Sequence, residues 1–95
     1  MLVGLVKISV FLPEGHSLKE KRRILNIIRD RVKNKMNIIV AEVGEQDLWQ
    51  KAEIGFAVVS NDSSFIDSVI SKTTDVIEQI IPGHIIDRKY EIISF

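Results

Sequence analysis

Hydrophobic and polar residues change places at two different periods along this chain, and the alternation of those periods predicts the order of its elements. In "LVGLVKISVFL" (2–12) the period is two. Leu2, Gly4, Val6, Ile8, Val10 and Leu12 share one face; Val3, Leu5, Lys7, Ser9 and Phe11 share the other. β-Branched residues dominate, so a strand is expected. The run is too short to span a membrane, and Lys7 interrupts it. "PEGHS" (13–17) is turn chemistry, and Ser17 with Glu20 has the spacing of a capping box. From Leu18 to about Lys35 the period lengthens to that of a helix, with Leu18, Leu25, Ile28 and Val32 as its apolar stripe, joined by Ile24.

The second half repeats the scheme. "NIIVAEVG" (37–44) reads as a strand ended by Gly44, "EQDLWQK" (45–51) as a polar connection, and "AEIGFAVVS" (52–60) as another strand. "NDSSF" (61–65) is an N-cap cluster. Phe65, Ile66, Val69, Ile70, Thr73, Val76, Ile77 and Ile80 then mark a second amphipathic helix, stopped by Pro82-Gly83. "HIIDRKYEIISF" (84–95) is a last strand.

The order βαββαβ is the ferredoxin-like pattern: an α+β fold with two helices on one face of a four-stranded antiparallel sheet, strand order 4-1-3-2. Ninety-five residues make one domain. That topology gathers the first strand-to-helix loop, the hairpin 45–51 and the loop before the last strand at one end. His16, the start of helix 1, Trp49 and His84 should meet there. The sheet face turned from the helices is too apolar for a solvated surface, which leads us to expect a homodimer or higher homo-oligomer.

"SLKEKRRIL" together with "AEVGEQDLWQKAEIGFAVVSND" resembles the YlxP-like family (domain of unknown function 503), a group of small bacterial proteins. The matching positions are Ser17, Leu18, Lys19, Lys21 and Arg22 in the first block, and Glu42, Gln46, Asp47, Trp49 and Gln50 in the second. The resemblance implies a ferredoxin-like sandwich that self-associates. Because such proteins are often encoded beside translation-initiation and ribosome-maturation factors, it also implies a place near RNA or the ribosome. No catalytic residues come with it.

Charge sharpens this picture. The formal net charge is zero, yet residues 17–35 hold eight Lys/Arg against Glu20 and Asp30, a local excess of +6 balanced by −6 elsewhere. Arg22, Asn26, Arg29 and Lys33 line one helix edge, flanked by Lys19 and Arg23. Cations in the first turns oppose the helix dipole by about 0.3–1 kcal/mol each when exposed. An outward use repays that cost, and Lys19, Arg22, Arg23, Arg29 and Lys33 are therefore the candidate contacts to a phosphate backbone. The competing reading pairs this edge with acidic groups inside a homo-oligomer. Lys21 points toward the edge of the apolar stripe and must snorkel or find a carboxylate, with Glu42 and the hairpin acids as candidates.

Trp49 is read as a packing or interface anchor, and Glu45 and Asp47 as partners for basic groups at helix 1. Phe56 stands alone among aliphatic residues in "EIGFAVV", so it belongs to the core and not to a base-stacking sheet. His16 and His84 lack metal-site spacing, and no cofactor or metal is expected. The chain has no cysteine and none of the P-loop, GxSxG or HExxH motifs. A non-enzymatic, cytoplasmic protein without a membrane segment is the expectation.

Overall fold

The computed structural model describes residues 1–13 and 17–95. Its elements are β1 (Leu2–Phe11), α1 (Leu18–Met36), β2 (Ala41–Gly44), β3 (Lys51–Ser60), α2 (Ser63–Ile80) and β4 (Ile85–Ser94). The sheet order is β2-β3-β1-β4 with every pairing antiparallel. This is the expected 4-1-3-2 arrangement.

Each helix is entered through a side-chain cap. The Ser17 hydroxyl accepts the Glu20 N–H at 3.2 Å, and one Asp62 oxygen accepts those of Ser64 and Phe65. Helix α1 ends at Asn37, whose left-handed backbone (φ 55°, ψ 40°) returns its N–H to the Lys33 carbonyl. The core lies between helices and sheet. Val6, Ile8 and Val10 of β1 and Ala52, Ile54, Phe56 and Val58 of β3 meet Leu25, Ile28 and Val32 of α1 and Ile66, Ile70 and Ile77 of α2. Phe56 is thus a core residue. Gly4 lets α2 settle on β1, since a Cβ there would come within 2.5 Å of Ile66 Cγ2.

Two segments depart from the periodic reading. The strand expected over 37–44 pairs only over Ala41–Gly44. After the αL turn at Asn37, the chain must first return to the sheet. The Val40 carbonyl on that path accepts from Arg29 Nε at 3.3 Å, and a register shift between Glu42 and Gly44 shortens the ladder from the other side. Phe65, grouped with the apolar stripe of α2, is 54% exposed because its helical phase turns it about 100° from the buried arc of Ile66, Ile70, Thr73 and Ile77.

The end of the sheet is closed by the backbone. Phe11 N–H donates to the His84 carbonyl at 2.9 Å and Leu12 N–H to that of Gln50 at 2.6 Å. The three connections expected at one end are therefore joined there.

Candidate functional site

The basic edge of α1 follows from its helical phase. Leu25, Ile28 and Val32 face inward, which turns the opposite arc, with Lys19, Arg22, Arg23, Arg29 and Lys33, to solvent. All five are exposed. Among the described residues the ion pairs are Lys7–Glu53, Lys21–Glu42, Lys51–Glu45 and Lys89–Asp87, so none of the five is neutralised by a carboxylate. Arg29 is partly committed: besides Val40, it donates through Nη1 to Asn26 Oδ1 at 2.8 Å. Those bonds lay its guanidinium along the β2 side of the helix and fix its place in the ridge.

Lys21 departs from its neighbours. It is 1% exposed and sits at the N-terminal end of the buried face of α1, in line with Leu25, Ile28 and Val32 and not at the side edge of the stripe. Its ammonium donates to the carbonyl oxygens of Glu45 (2.7 Å), Leu48 and Lys51 (3.0 Å), and lies 2.8 Å from Glu42 Oε2. An ammonium has three protons. With all three directed at carbonyls, the Glu42 oxygen neutralises the charge without accepting a proton of its own, and it is buried without a hydrogen bond. Lys21 thus pins the β2–β3 hairpin to the first turns of α1. The sequence placed Glu42 among its candidate partners. The three carbonyls have no side-chain signature and only the folded hairpin supplies them.

The same hairpin carries the remaining candidates. Glu45 adopts positive φ (58°) and its carbonyl closes a turn with Leu48 N–H at 3.1 Å. With that carbonyl turned inward to Lys21, the Glu45 carboxylate reaches Lys51 at 4.0 Å instead of helix α1. Asp47 is exposed and forms no ion pair among the described residues. Trp49 is 40% exposed beside Leu48 at 46%, so the hairpin tip shows apolar surface next to the start of the basic ridge.

His84 Nδ1 lies 2.7 Å from the Phe11 carbonyl, which requires the proton on that nitrogen. It lines a cleft of about 370 Å³ with Glu20, Arg23 and Ile81. His16 lies outside the described residues. Among the described residues no three His, Asp or Glu side chains come together to hold a metal ion. Among the described residues no helix is long and apolar enough to cross a membrane.

The opposite face of the sheet has no helix on it. Leu5, Val43 and Val59 stand exposed there, and no aromatic platform accompanies them on β3, whose outward residues include Gly55, Ala57 and Val59.

Fold and surface together define a small ferredoxin-like α+β protein with a cationic helix. Residues 3–90 match the family described as "Protein of unknown function (DUF503)", and the chain belongs to that family. It is 40% identical over 60 residues to the uncharacterized protein YlxP of Bacillus subtilis (strain 168). That alignment covers 63% of this chain and 65% of the relative. Among solved structures it resembles a dimeric ferredoxin-like protein of unknown function from Bacteroides fragilis NCTC 9343. The TM-score is 0.57 and the identity 12%, over 99% of this chain and 96% of that one. The designed protein Foldit4 (TM-score 0.59, 15% identity, 99% and 97% covered) and SnoaB, a cofactor-independent oxygenase from Streptomyces nogalater (0.51, 6%, 99% and 92%), share the fold alone.

Proposed function

We propose that this is a non-enzymatic cytoplasmic protein that binds RNA or a ribosomal surface through the exposed edge of α1. Lys19, Arg22, Arg23, Arg29 and Lys33 contact phosphates without reading sequence. The observation that carries this reading is the open ridge: five cations on one helix, free of carboxylates among the described residues. One of them, Lys19, stands in the first turn, where the helix dipole opposes it. Lys21 supports it from within, because the one helix cation buried in the fold is the one that braces the hairpin beside the ridge.

Fluorescence anisotropy of a labelled structured RNA, titrated at two salt concentrations, tests the proposal. Five phosphate contacts give a log–log salt slope of about −3.5 to −4.5 and a loss of roughly two orders of magnitude in affinity between 50 and 200 mM salt. Absence of binding at micromolar protein in low salt refutes it.

A second reading keeps the ridge for self-assembly, facing acidic groups of another copy. The −6 carried by the rest of the chain favours it. Under that reading, replacing Glu45 and Asp47 by Ala loosens the oligomer. Under the first it leaves assembly unchanged. In both, the protein acts as a homo-oligomer, in keeping with the dimeric Bacteroides protein of the same fold.

A further inference from the structure

The outer face of the sheet has its own logic, independent of the ridge. Leu5 is 42% exposed, Val43 50% and Val59 60%. Leu5 and Val43 line a shallow concavity of about 580 Å³ together with Ile39, Gly55 and Ala57, and Lys7, Lys89 and Glu91 stand at it too. An apolar face of this extent is disfavoured in water by about 25 cal/mol for each Å² left uncovered. We infer that it is covered by the same face of a second copy, related by a two-fold axis that lies between the sheets and runs across the strands.

The charges select that occupant. The register sets Lys7 directly beside Lys89, and in the next outward row sets Ser9 between Glu53 and Asp87. A row of cations thus adjoins a row of anions. Like charges opposed on neighbouring strands are destabilising. The diagonal pairs Lys7–Glu53 (3.3 Å) and Lys89–Asp87 (3.9 Å) relieve this weakly, because three of the four side chains are more than half exposed. A two-fold axis passing between these two rows lays Lys89 over Asp87 of the second copy and Lys7 over its Ser9, within reach of its Glu53. It pairs Lys89 with Asp87 of the second copy in both directions. The same rotation sets Leu5 against Phe11 of the second copy, and Phe11 is itself 43% exposed on this face.

Three ten-residue strands and one of four make roughly 550 Å² in projection at ordinary strand spacings, which suits an interface smaller than the standard ~800 Å² per partner. Aligned sheets packed ~10 Å apart are a common solution for such faces. The arrangement also leaves both α1 ridges pointing outward, so one dimer presents two sites for polyanion. The inference does not depend on what the ridge binds.

The test is the solution mass of the full chain, by sedimentation and by light scattering after size exclusion. The 10.8-kDa chain is expected to run as a dimer at concentrations on the order of 100 μM, and Leu5→Glu to weaken association by about tenfold or more. Circular dichroism checks that each variant folds. Lys89→Glu and Asp87→Lys should each be monomeric alone, since each sets like charges across the axis twice. Mixed together they should associate, since every facing pair then has opposite signs. Repair of a pair within one chain cannot produce that rescue. A monomeric wild-type protein, a dimer indifferent to Leu5→Glu, or two charge variants that stay monomeric on mixing each overturns the inference. RNA titration of Leu5→Glu separates the two surfaces: loss of the dimer with phosphate binding retained leaves the ridge reading standing.

Discussion

Replacing Lys21 by Met keeps most of the volume of a buried side chain and removes its charge and donors. Three carbonyls and one carboxylate then lose their partner. Breaking a buried ion pair by removing one member costs about 3–5 kcal/mol, and each buried acceptor left unmet adds about 1–3 kcal/mol. These do not simply add here. Residues 45–50 are exposed, so the turn can swing its carbonyls to water, and the Glu42 side chain is already 20% accessible. The net loss should therefore be about 3 kcal/mol, a large part of the roughly 5–10 kcal/mol available to a domain this small.

Urea unfolding followed by two probes reads it. Trp49 is the only tryptophan and sits on the hairpin, so its fluorescence reports that segment, whereas far-ultraviolet circular dichroism reports the helices. In the wild type the two transitions should coincide. In Lys21→Met the fluorescence transition should come first. Adding Glu42→Gln should recover about 1 kcal/mol or more, because it removes the stranded charge. Lys21→Arg should not restore stability, since a planar guanidinium does not match three carbonyls arranged around a pyramidal ammonium. A loss under about 1 kcal/mol for Lys21→Met, with coincident transitions, would refute the view that this lysine holds the hairpin.

Other expectations are simpler. Gly4→Ala should destabilise by about 1–3 kcal/mol in thermal or urea unfolding, since the new methyl group meets Ile66 Cγ2 at 2.5 Å and α2 must move off the sheet. Thr73→Val should stabilise by about 1 kcal/mol, because the Thr73 hydroxyl is buried without a partner and Val keeps the shape. Lys33→Ala should leave stability within about 0.5 kcal/mol. In the RNA titration it should flatten the salt slope by about 0.7–0.9, one phosphate's share.

The element order, the strand order and most of the core were legible in the chain because they follow from periods. Val6, Ile8 and Val10 repeat at two, and Leu25, Ile28 and Val32 recur at helical spacing. A polar backbone then leaves few ways to bury both kinds of face. The capped starts at Ser17 and Asp62 were legible for the same local reason: their side chains satisfy N–H groups two or three residues on. The ridge was legible as a charge pattern on one side of a helix.

What depended on neighbours far along the chain was decided only by the tertiary structure. Lys21 is, by sequence, one of four Lys/Arg residues between Lys19 and Arg23. The fold alone sets it under carbonyls 24 to 30 residues away and makes it an internal brace while Lys19, Arg22 and Arg23 stay in water. The length of β2 was decided likewise, by an αL turn and by an arginine that takes the Val40 carbonyl. So were the charge rows of the outer face, which exist because register sets Lys7 beside Lys89, eighty-two residues apart. Local propensity and period act along the chain. Burial, ion pairing and register act between segments the chain brings together only once it has folded.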